Sequence, residues 1–473
     1  MKTRTDTAVA LLLAAAFAAL YALTRSPHFS YDGLCYALDV DYGPTTNLFH
    51  ANHLLYGFFM RALWHGAQHC GYSGRAIVLM QTANLLAAAL AVGVLFRAVC
   101  RRLDRAPALL AATGLGFSHA LWLNAADPGC YGVATLAATV LLALFLNAER
   151  LPPVLIGVLH GALILIHQLL VLPIVAFLPR VKRPGLYAVS LLLSAGAVYV
   201  SIGWHFHGPG FGAVLYWLTH PADAIWSPPG THFWTFQWAD QWHASLLSLT
   251  QSILALPAPA VDITVLWAFL LVGLAAGWMA ARIPRAAWWW LLAFWLFQWV
   301  YFPGALTYRL FSLPLLWALV FSWGLWRHRA FAWVGAFGIL ILALHNGHAA
   351  RHRRRKPDAE AVRVAWLRQV VGPRDFLLFA GRGDRSVENV YMAYFGHDVP
   401  ARSLYGYRFS HPDGDLKPLE TQLRDVQAQG GRVFIESGLT GIAPLTAQSK
   451  VRTHAVGPDG YAVDQRAFDF HAK

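Results

Sequence analysis

The residues best suited to chemistry lie in a polar loop that follows the first apolar segment. Residues 26–56 read SPHFSYDGLCYALDVDYGPTTNLFHANHLLY. This stretch carries Asp32, Asp39, Asp41, His50 and His53. Carboxylates and imidazoles accept protons and bind cations. Because most of the long apolar segments carry few charges, we expect the chemistry of this protein in this loop.

Asp32 is the first candidate for proton transfer. It follows the first apolar segment closely, and burial among Tyr31, Tyr36 and apolar walls would make its carboxylate a stronger base. Two other roles are open for it, a solvated loop acid or the N-cap of the helix predicted over GLCYALDV. Capping and catalysis can coexist in one residue.

His50 and His53 form a second candidate group in the same loop. Three residues apart, they share one face if the segment is helical. Together with a carboxylate they could bind a metal ion, but no fourth ligand stands at a fixed spacing. Phosphate binding or hydrogen bonding within the loop is therefore favoured. Asp39 and Asp41 could supply a second carboxylate to the loop. The turn that follows the two aspartates favours solvent-facing roles for both.

Three more polar positions interrupt the apolar sequence later in the chain. Asp127 precedes a proline, so it is either a second loop acid or a turn residue. His167 is ionisable within an apolar segment, which indicates either function or a structural histidine that packs two half-helices. Arg309, beside Tyr308, suits a phosphate-bearing lipid, or it is an interfacial arginine with its charge at the membrane surface.

The composition predicts a polytopic membrane protein. Of 473 residues, 57% are hydrophobic and 13% are charged, and the mean hydropathy is +0.44. Soluble domains carry roughly 25% charged residues. The net charge of +13 comes with arginines that cluster between apolar runs, as the positive-inside rule requires. We therefore expect a lipid bilayer, and no nucleic acid, as a partner.

The apolar runs predict about eleven helical spans, because lipid leaves no partner for an exposed backbone. Residues 153–179 are long for a single span, so we expect two half-membrane helices with His167 at the tip. The predicted runs are 8–23, 76–98, 107–124, 131–148, 153–179, 186–204, 261–281, 287–302, 310–326 and 330–345. For the first run, a retained helix is favoured over a cleaved signal peptide.

Basic residues predict the orientation of these spans. Lys2, Arg4 and the arginine group at 97–105 are expected in the cytoplasm, so the first loop, 25–75, and the segment 205–259 face outward. By parity the tail also lies outside, although it opens with the basic run RHRRRK at 351–356. Either one span is miscounted near 243–260, or this run lies on anionic head groups; the second explanation is favoured.

The chain is expected to divide into a transmembrane domain, 1–349, and a small soluble α/β domain, 350–473, outside the cytoplasm. Residues 376–380 and 432–436 read as buried strands, and 419–431 reads as an amphipathic helix that ends in glycine. The GRGD sequence at 381–384 lacks the third glycine of a dinucleotide loop and the lysine of a P-loop, which favours an ordinary turn.

The four cysteines have no local metal-binding pattern. They are Cys35, Cys70, Cys100 and Cys130. No CxxC or Cys/His ligand spacing occurs, so a structural zinc site is not expected from the sequence. Cys35 and Cys70 share the first exterior loop and either pair or stay free.

Taken together, these motifs resemble the GT-C class of integral-membrane glycosyltransferases, which includes protein O-mannosyltransferases and lipid A aminoarabinose transferases. The resemblance covers about 1–345, mostly through topology. It is carried by SYDGLCYALD with Asp32 and Tyr36, FHANHLLYG with His50, His53 and Tyr56, the second-loop acid Asp127, and IHQLLVLP with His167.

This resemblance implies a GT-C-like helical fold and a transferase that takes its sugar from a polyprenyl-phosphate carrier at the outer face of the cytoplasmic membrane. Asp32 would be the general base of an inverting reaction, with Asp127 as the second catalytic acid. Tyr36, Tyr56 and Tyr308 would line the substrate site with the two loop histidines. His53, His167 or Arg309 would neutralise the departing phosphate.

The acceptor would be an envelope glycan, lipid or protein. Gly33 follows Asp32 where the class usually has a second acid, so metal dependence is open, with a divalent cation as the candidate cofactor. Two other functions remain alternatives: a transporter or flippase for a lipid-linked or small solute, and a non-catalytic scaffold of an envelope complex.

Overall fold

The computed structural model describes residues 2–219, 238–256, 282–380, 387–404, 407, 415–439, 442–447 and 449–468. It has two compact units. The first contains Met1–Ser26 and Asp39–Arg355, and the second contains Pro27–Leu38 and Lys356–Lys473. The predicted span 261–281, parts of the predicted exterior segment 205–259 and the GRGD sequence lie outside the described residues.

The described part of the first unit is mainly helical. Its helices are Lys2–Leu23, Tyr56–His69, Ala76–Val99, Arg105–Phe117, His119–Ala125, Tyr131–Leu146, Pro153–Ile166, Ile174–Phe177, Pro184–Leu191, Ala197–His207, Phe211–Thr219, Trp238–Ile253, Ala287–Val300, Leu313–Val320 and Arg329–Arg355. A π-helical turn joins Pro184–Leu191 to Ala197–His207, so the two run on as one long helix.

Four helices in the described ranges are long and apolar enough to cross a membrane. They are Arg4–Leu23, Ala76–Val99, Pro184–Phe206 and the helix that begins at Arg329. A fifth span results if Arg105–Phe117 and His119–Ala125, which meet at 57°, are taken together. Shorter apolar helices lie in other predicted spans, namely Tyr131–Leu146, Pro153–Ile166, Gln168–Phe177 and Ala287–Val300. The count of about eleven therefore stays a prediction.

The helix Ala76–Val99 forms the centre of the first unit. It packs against the first helix, Tyr131–Leu146 and Arg105–Phe117. A methyl group on Gly93 would lie 2.6 Å from the Ala10 carbonyl oxygen, which is closer than real carbon atoms approach. Small residues thus set the spacing of these helices, as is common where lipid supplies no hydrophobic driving force.

Residues 153–179 form two short helical segments, as predicted. Pro153–Ile166 ends where His167 adopts an extended conformation, with φ −155° and ψ 121°. A 3-10 turn and the helix Ile174–Phe177 follow. Pro173 has no amide hydrogen, so it cannot continue the helical hydrogen bonding across the break.

A buried histidine satisfies the backbone beyond this break. His160 Nε2 donates to the Leu170 carbonyl at 2.7 Å, and Tyr187 donates its hydroxyl hydrogen to His160 Nδ1 at the same distance. The broken segment is therefore held from within and by the following helix.

The second unit contains a five-stranded sheet in the order β2-β1-β3-β5-β4. The strands are β1 Phe376–Phe379, β2 Ala401–Ser403, β3 Val433–Glu436, β4 Ser449–Val456 and β5 Ala462–Phe468. β1 is parallel to β2 and β3, whereas β5 is antiparallel to β3 and β4.

Helices of the second unit accompany this sheet. They are Ala359–Val370, Val387–Phe395, Lys417–Ala428 and the short Ala443–Thr446. The two predicted strands and the predicted amphipathic helix are confirmed. The helix ends before Gly430, whose φ of +78° lies in the left-handed region that favours glycine.

A piece of the first loop packs with this second unit. The Phe29 amide donates to the Tyr391 hydroxyl at 3.2 Å, and His28 Nε2 donates to the Lys356 carbonyl at 3.1 Å. The helix Tyr31–Asp41 follows directly. The sequence predicts that residues 27–38 belong to the transmembrane domain, whereas their contacts group them with the C-terminal part of the chain.

Asp375 is expected to stabilise the sheet of the second unit. Its carboxylate accepts from the Gly372 amide at 2.7 Å, the Arg432 amide at 2.8 Å and the Arg432 guanidinium at 2.6 Å. Burial alone would raise the pKa of Asp375, but these hydrogen bonds and the charge of Arg432 outweigh burial and lower the pKa.

We therefore predict that Asp375→Asn lowers the free energy of unfolding of this unit by about 1–3 kcal/mol at neutral pH. Because the pKa is lowered on folding, the stabilisation is present above the unfolded pKa of about 3.9 and is lost as pH falls further. Hydrogen exchange of β1 and β3 measures the effect. Asp398→Asn is the control, since Asp398 pairs with Arg368 at the surface. Equal protection in both variants would contradict the prediction.

Candidate functional site

Three interruptions of the helices meet inside the first unit. They are the turn at 50–56, the loop at 127–131 and the extended residue His167. The Leu55 amide donates to the Leu165 carbonyl at 2.9 Å, which joins the first loop to the helix break. Tyr56 donates its hydroxyl hydrogen to the Pro128 carbonyl at 2.6 Å, which joins it to the second loop.

Tyr56 is the anchor between the two loops. Its hydroxyl also lies 3.0 Å from the Gly129 carbonyl and accepts from Asn84 Nδ2 at 2.8 Å. Asn84 is fully buried, and its Oδ1 accepts from the Val133 amide at 3.2 Å. A residue predicted to contact substrate thus has a structural role that the sequence did not reveal.

Asp127 forms the turn that the sequence offered as one of its two roles. It is buried, and its Oδ1 accepts from the Gly129 amide at 2.8 Å. This bond closes the loop that also presents Cys130 and Tyr131. Asp127 therefore positions that loop, and its proposed catalytic role stays a prediction.

The loop histidines and His167 pack as a group of imidazole rings. The rings of His50 and His53 are stacked with centroids 5.3 Å apart, and those of His53 and His167 are 4.4 Å apart. Burial lowers the pKa of His50 to about 4. Burial and the nearby His167 and His50 also lower the pKa of His53 well below its ordinary value. The loop imidazoles are therefore neutral at physiological pH and offer N–H groups or lone pairs rather than charge.

Cys130 completes this group, and sequence reasoning missed it. Its Sγ lies 3.3 Å from His53 Nδ1, and one ligand atom from each of Cys130, His53 and His167 lies within 4.8 Å of the others. No sequence pattern indicates this cluster, because its members come from three distant segments. In the described part of the chain none of the four cysteines forms a disulfide, so Cys35 and Cys70 are not paired with each other.

Aromatic residues form the wall beside the imidazoles. The ring of Tyr308 lies 6.3 Å from that of Tyr131 and 6.3 Å from that of His167. The ring of Phe311 lies 4.2 Å from that of His167. Tyr308 therefore lies beside the imidazole cluster, and its expected role in binding substrate stays a prediction.

Arg309 is buried rather than interfacial. The side chain is 1% exposed, and its guanidinium donates to neutral oxygens only. These are Ser248 Oγ at 3.0 Å, Gln298 Oε1 at 2.5 Å, Ser245 Oγ at 2.6 Å, the Ser245 carbonyl at 2.9 Å and the Pro303 carbonyl at 3.3 Å. In the described part of the chain, Arg309 forms no salt bridge with an acid. The structure therefore buries a positive charge without a protein counter-ion in these ranges.

An apolar groove adjoins this buried charge. Tryptophan and leucine side chains of the helices Trp238–Ile253 and Ala287–Val300 line it. The lining residues are Trp242, Ser245, Leu246, Leu249, Leu292, Trp295, Leu296, Trp299 and Arg309. The guanidinium of Arg309 is the charged group within this apolar lining.

The remaining predicted residues lie in the helix Tyr31–Asp41, within the part that groups with the second unit. Asp32 is half-buried in the first turn of this helix, and Tyr36 is buried. The Gly33 amide donates to Ser30 Oγ at 3.0 Å, so Ser30 supplies the N-terminal cap considered for Asp32.

Asp39 and Asp41 were predicted to face solvent, and for Asp39 this prediction is wrong. Its side chain is buried and accepts from Asn47 Nδ2 at 3.1 Å. Burial raises the pKa of Asp39 to about 6, against the opposing effects of Asn47 and the Arg61 guanidinium. Asp41 Oδ1 accepts from the Ala76 amide at 2.9 Å, at the start of the central helix.

Solved structures similar to this chain include ArnT from Cupriavidus metallidurans, a GT-C glycosyltransferase. Its structure bound to undecaprenyl phosphate gives a TM-score of 0.59 at 15% identity, over 97% of this chain and 98% of that one. The apo structure of ArnT also gives a TM-score of 0.59, at 14% identity and over 98% of each chain. An oligosaccharyltransferase from Archaeoglobus fulgidus, in complex with Zn and sulfate, gives a TM-score of 0.48 at 12% identity, over 80% of this chain and 57% of that one.

No protein-family model matches the sequence, and no curated protein matches it. The likeness to ArnT extends over nearly the whole chain at low identity, so it concerns the fold. The GT-C-like fold expected from the sequence is confirmed, with apolar helices of a multi-pass membrane protein and a small sheet.

Tyr56→Phe should loosen the loop at 127–131. The variant loses the bonds to the Pro128 and Gly129 carbonyls and leaves a buried acceptor without its donor, which costs about 1–3 kcal/mol. We expect a lower thermal unfolding temperature and faster maleimide labelling of Cys130 in the purified protein. Tyr42→Phe is the matched control, because Tyr42 is exposed. Labelling of Cys130 at the wild-type rate would exclude Tyr56 as the anchor.

Proposed function

We propose that this protein, which has a GT-C-like fold, transfers a sugar from a polyprenyl-phosphate carrier to an envelope acceptor. The observation that carries the proposal is the buried charge of Arg309 beside the apolar groove. A lipid phosphate has the two parts that this pair accommodates, a hydrocarbon chain and an anion. ArnT, whose fold this chain shares, has been solved bound to undecaprenyl phosphate.

The electrostatics of Arg309 favour an anionic ligand. An arginine stays protonated in proteins, and burying its charge without a counter-ion is costly. Neutral oxygens satisfy its N–H groups but do not cancel the charge. The contacts use Nε, NH2 and one hydrogen of NH1, which leaves one N–H without an acceptor among the described residues. A phosphate oxygen would accept this hydrogen and supply the missing negative charge.

The histidine cluster and Arg309 would have different roles in transfer. Because burial keeps the imidazole of His53 neutral, it would donate an N–H to the departing phosphate rather than charge. Arg309 would supply the positive charge. Stabilisation of the developing charge by such fixed groups is commonly the largest contribution to catalysis.

Asp32 is the proposed general base. It would accept the proton of the acceptor hydroxyl as the oxygen attacks the anomeric carbon of the sugar. The bond from that carbon to the phosphate oxygen breaks, its electron pair stays on the phosphate, and the configuration inverts. Two findings support this choice: Asp32 is half-buried, and Ser30 supplies the helix cap. Asp127 is retained as the second acid of the proposal.

The cellular setting of the reaction is also a proposal. Lys2 and Arg4 before the first span, and the arginine group at 97–105, support an outward-facing first loop in the cytoplasmic membrane. The segment 350–473 would then lie on the same side. Acceptors there are envelope glycans, lipids or proteins.

Asp32→Asn should reduce sugar transfer by about 10²–10⁴-fold, because the amide cannot accept the proton. Membrane expression should stay near wild type, since the cap bond comes from Ser30. Transfer is measured with purified protein and a polyprenyl-phosphate sugar donor. Asp425→Asn is the matched control, an exposed acid on the helix Lys417–Ala428. Full activity of Asp32→Asn would reject Asp32 as the base and leave Asp127 to be tested.

Arg309→Ala should raise the KM for the lipid-linked donor by about 10- to 100-fold, the value of a lost hydrogen bond to a charged group. Arg309→Lys should recover only part of this, because an ammonium cannot replace the guanidinium fork. Arg101→Lys is the control for the loss of a guanidinium at an exposed position. If both Arg309 variants bind and use donor like wild type, the phosphate site lies elsewhere.

A further inference from the structure

The cluster of His53, Cys130 and His167 has the composition of a metal site. All three side chains are buried, with 3%, 0% and 1% of their surface exposed. One ligand atom from each lies within 4.8 Å of the other two. We propose that these three residues bind one zinc ion in the first unit.

The donor atoms select the metal. One sulfur and two imidazole nitrogens form a set typical of zinc, whereas calcium and magnesium require oxygen ligands. Around a tetrahedral zinc ion, such atoms lie about 3.3–3.6 Å apart. Cys130 Sγ and His53 Nδ1 already lie at 3.3 Å, so the remaining adjustment is a short approach of His167.

His167 provides independent support for a ligand at this point. Its Nε2 is buried and has no hydrogen-bond partner among the described residues. Buried polar atoms in folded proteins are almost always satisfied, so this nitrogen requires an explanation. The extended backbone at the helix break holds the ring against His53.

Binding would rearrange protons within the cluster. The Leu169 amide donates to His167 Nδ1 at 3.2 Å, so the proton of the neutral ring is on Nε2 before binding. For zinc to bind Nε2, this proton must pass to Nδ1 and the Leu169 bond must break. The cost is that of one hydrogen bond, which is small beside the strength of a structural zinc site. Cys130 releases its thiol proton to solvent and binds as a thiolate.

The site would connect three parts of the chain that are far apart in sequence. His53 belongs to the first loop, Cys130 to the second loop and His167 to the helix break. Three protein ligands leave a fourth position for an oxygen ligand, as in catalytic zinc sites. The sequence contains no local zinc motif, and this arrangement arises only in the folded chain.

Direct metal binding tests the proposal without any assay of sugar transfer. The full-length protein in detergent is stripped with a chelator and then equilibrated with zinc or cobalt chloride. We expect about one zinc per chain by elemental analysis and a thiolate-to-cobalt charge-transfer absorption. His53→Gln, His167→Gln and Cys130→Ser should each weaken zinc binding by more than about 100-fold, the upper range for changes in outer-shell residues. Cys130→Ser should also abolish the absorption.

Matched controls separate this site from adventitious binding. Cys70→Ser and His65→Gln remove an exposed thiol and an exposed imidazole and should leave stoichiometry and absorption unchanged. A second measurement uses the wild type, so it does not depend on the folding of any variant. Zinc should slow the alkylation of Cys130 but not that of Cys70. The proposal is overturned if the cobalt absorption survives in Cys130→Ser. It is also overturned if Cys130 is alkylated at the same rate with and without zinc. A chain that transfers sugar without binding zinc overturns this site and leaves the proposed function standing.

Discussion

The candidate site depends on the helix break at His167. In an apolar environment, each backbone donor and acceptor released by a break must find a new partner within the protein. His160 satisfies the Leu170 carbonyl, and the Leu55 amide satisfies the Leu165 carbonyl. The second of these bonds comes from the first loop, so satisfying the break also brings the loop histidines to it. The position of the imidazoles is thus a consequence of backbone hydrogen bonding.

The buried imidazoles and the buried guanidinium of Arg309 have different electrostatic roles in the first unit. Burial keeps the loop imidazoles uncharged, so they contribute lone pairs and N–H groups. Arg309 keeps its charge, because a guanidinium does not lose its proton under ordinary conditions. Its neutral partners on three segments hold it rigid without cancelling that charge. A cation fixed in this way needs no reorganisation when an anion arrives, which is the property that makes such groups effective in catalysis.

Structural features that depend on a local sequence pattern were predicted from the sequence. Features that depend on contacts between distant residues were missed. Hydrophobic runs indicated β1 and β3, and an ionisable residue in an overlong apolar segment indicated the break at His167. Cys130 was missed because its partners stand 77 and 37 positions away. The burial of Asp39 and the cap from Ser30 were missed because they depend on details of side-chain packing. The grouping of residues 27–38 with the C-terminal part follows from contacts between distant parts of the chain, which the periodicity of hydrophobic residues does not indicate.

In the proposed transfer, burial of the imidazole and thiol cluster would also affect the fate of the activated donor. A site that activates the anomeric carbon of the donor sugar for attack by an acceptor hydroxyl would also activate it for attack by water. A wall of His53, His167, Tyr308 and Phe311, with almost no surface open to solvent, leaves little room for that competitor. Closed sites suppress such side reactions. The same packing that keeps the histidines neutral would therefore favour transfer to the acceptor over wasteful hydrolysis.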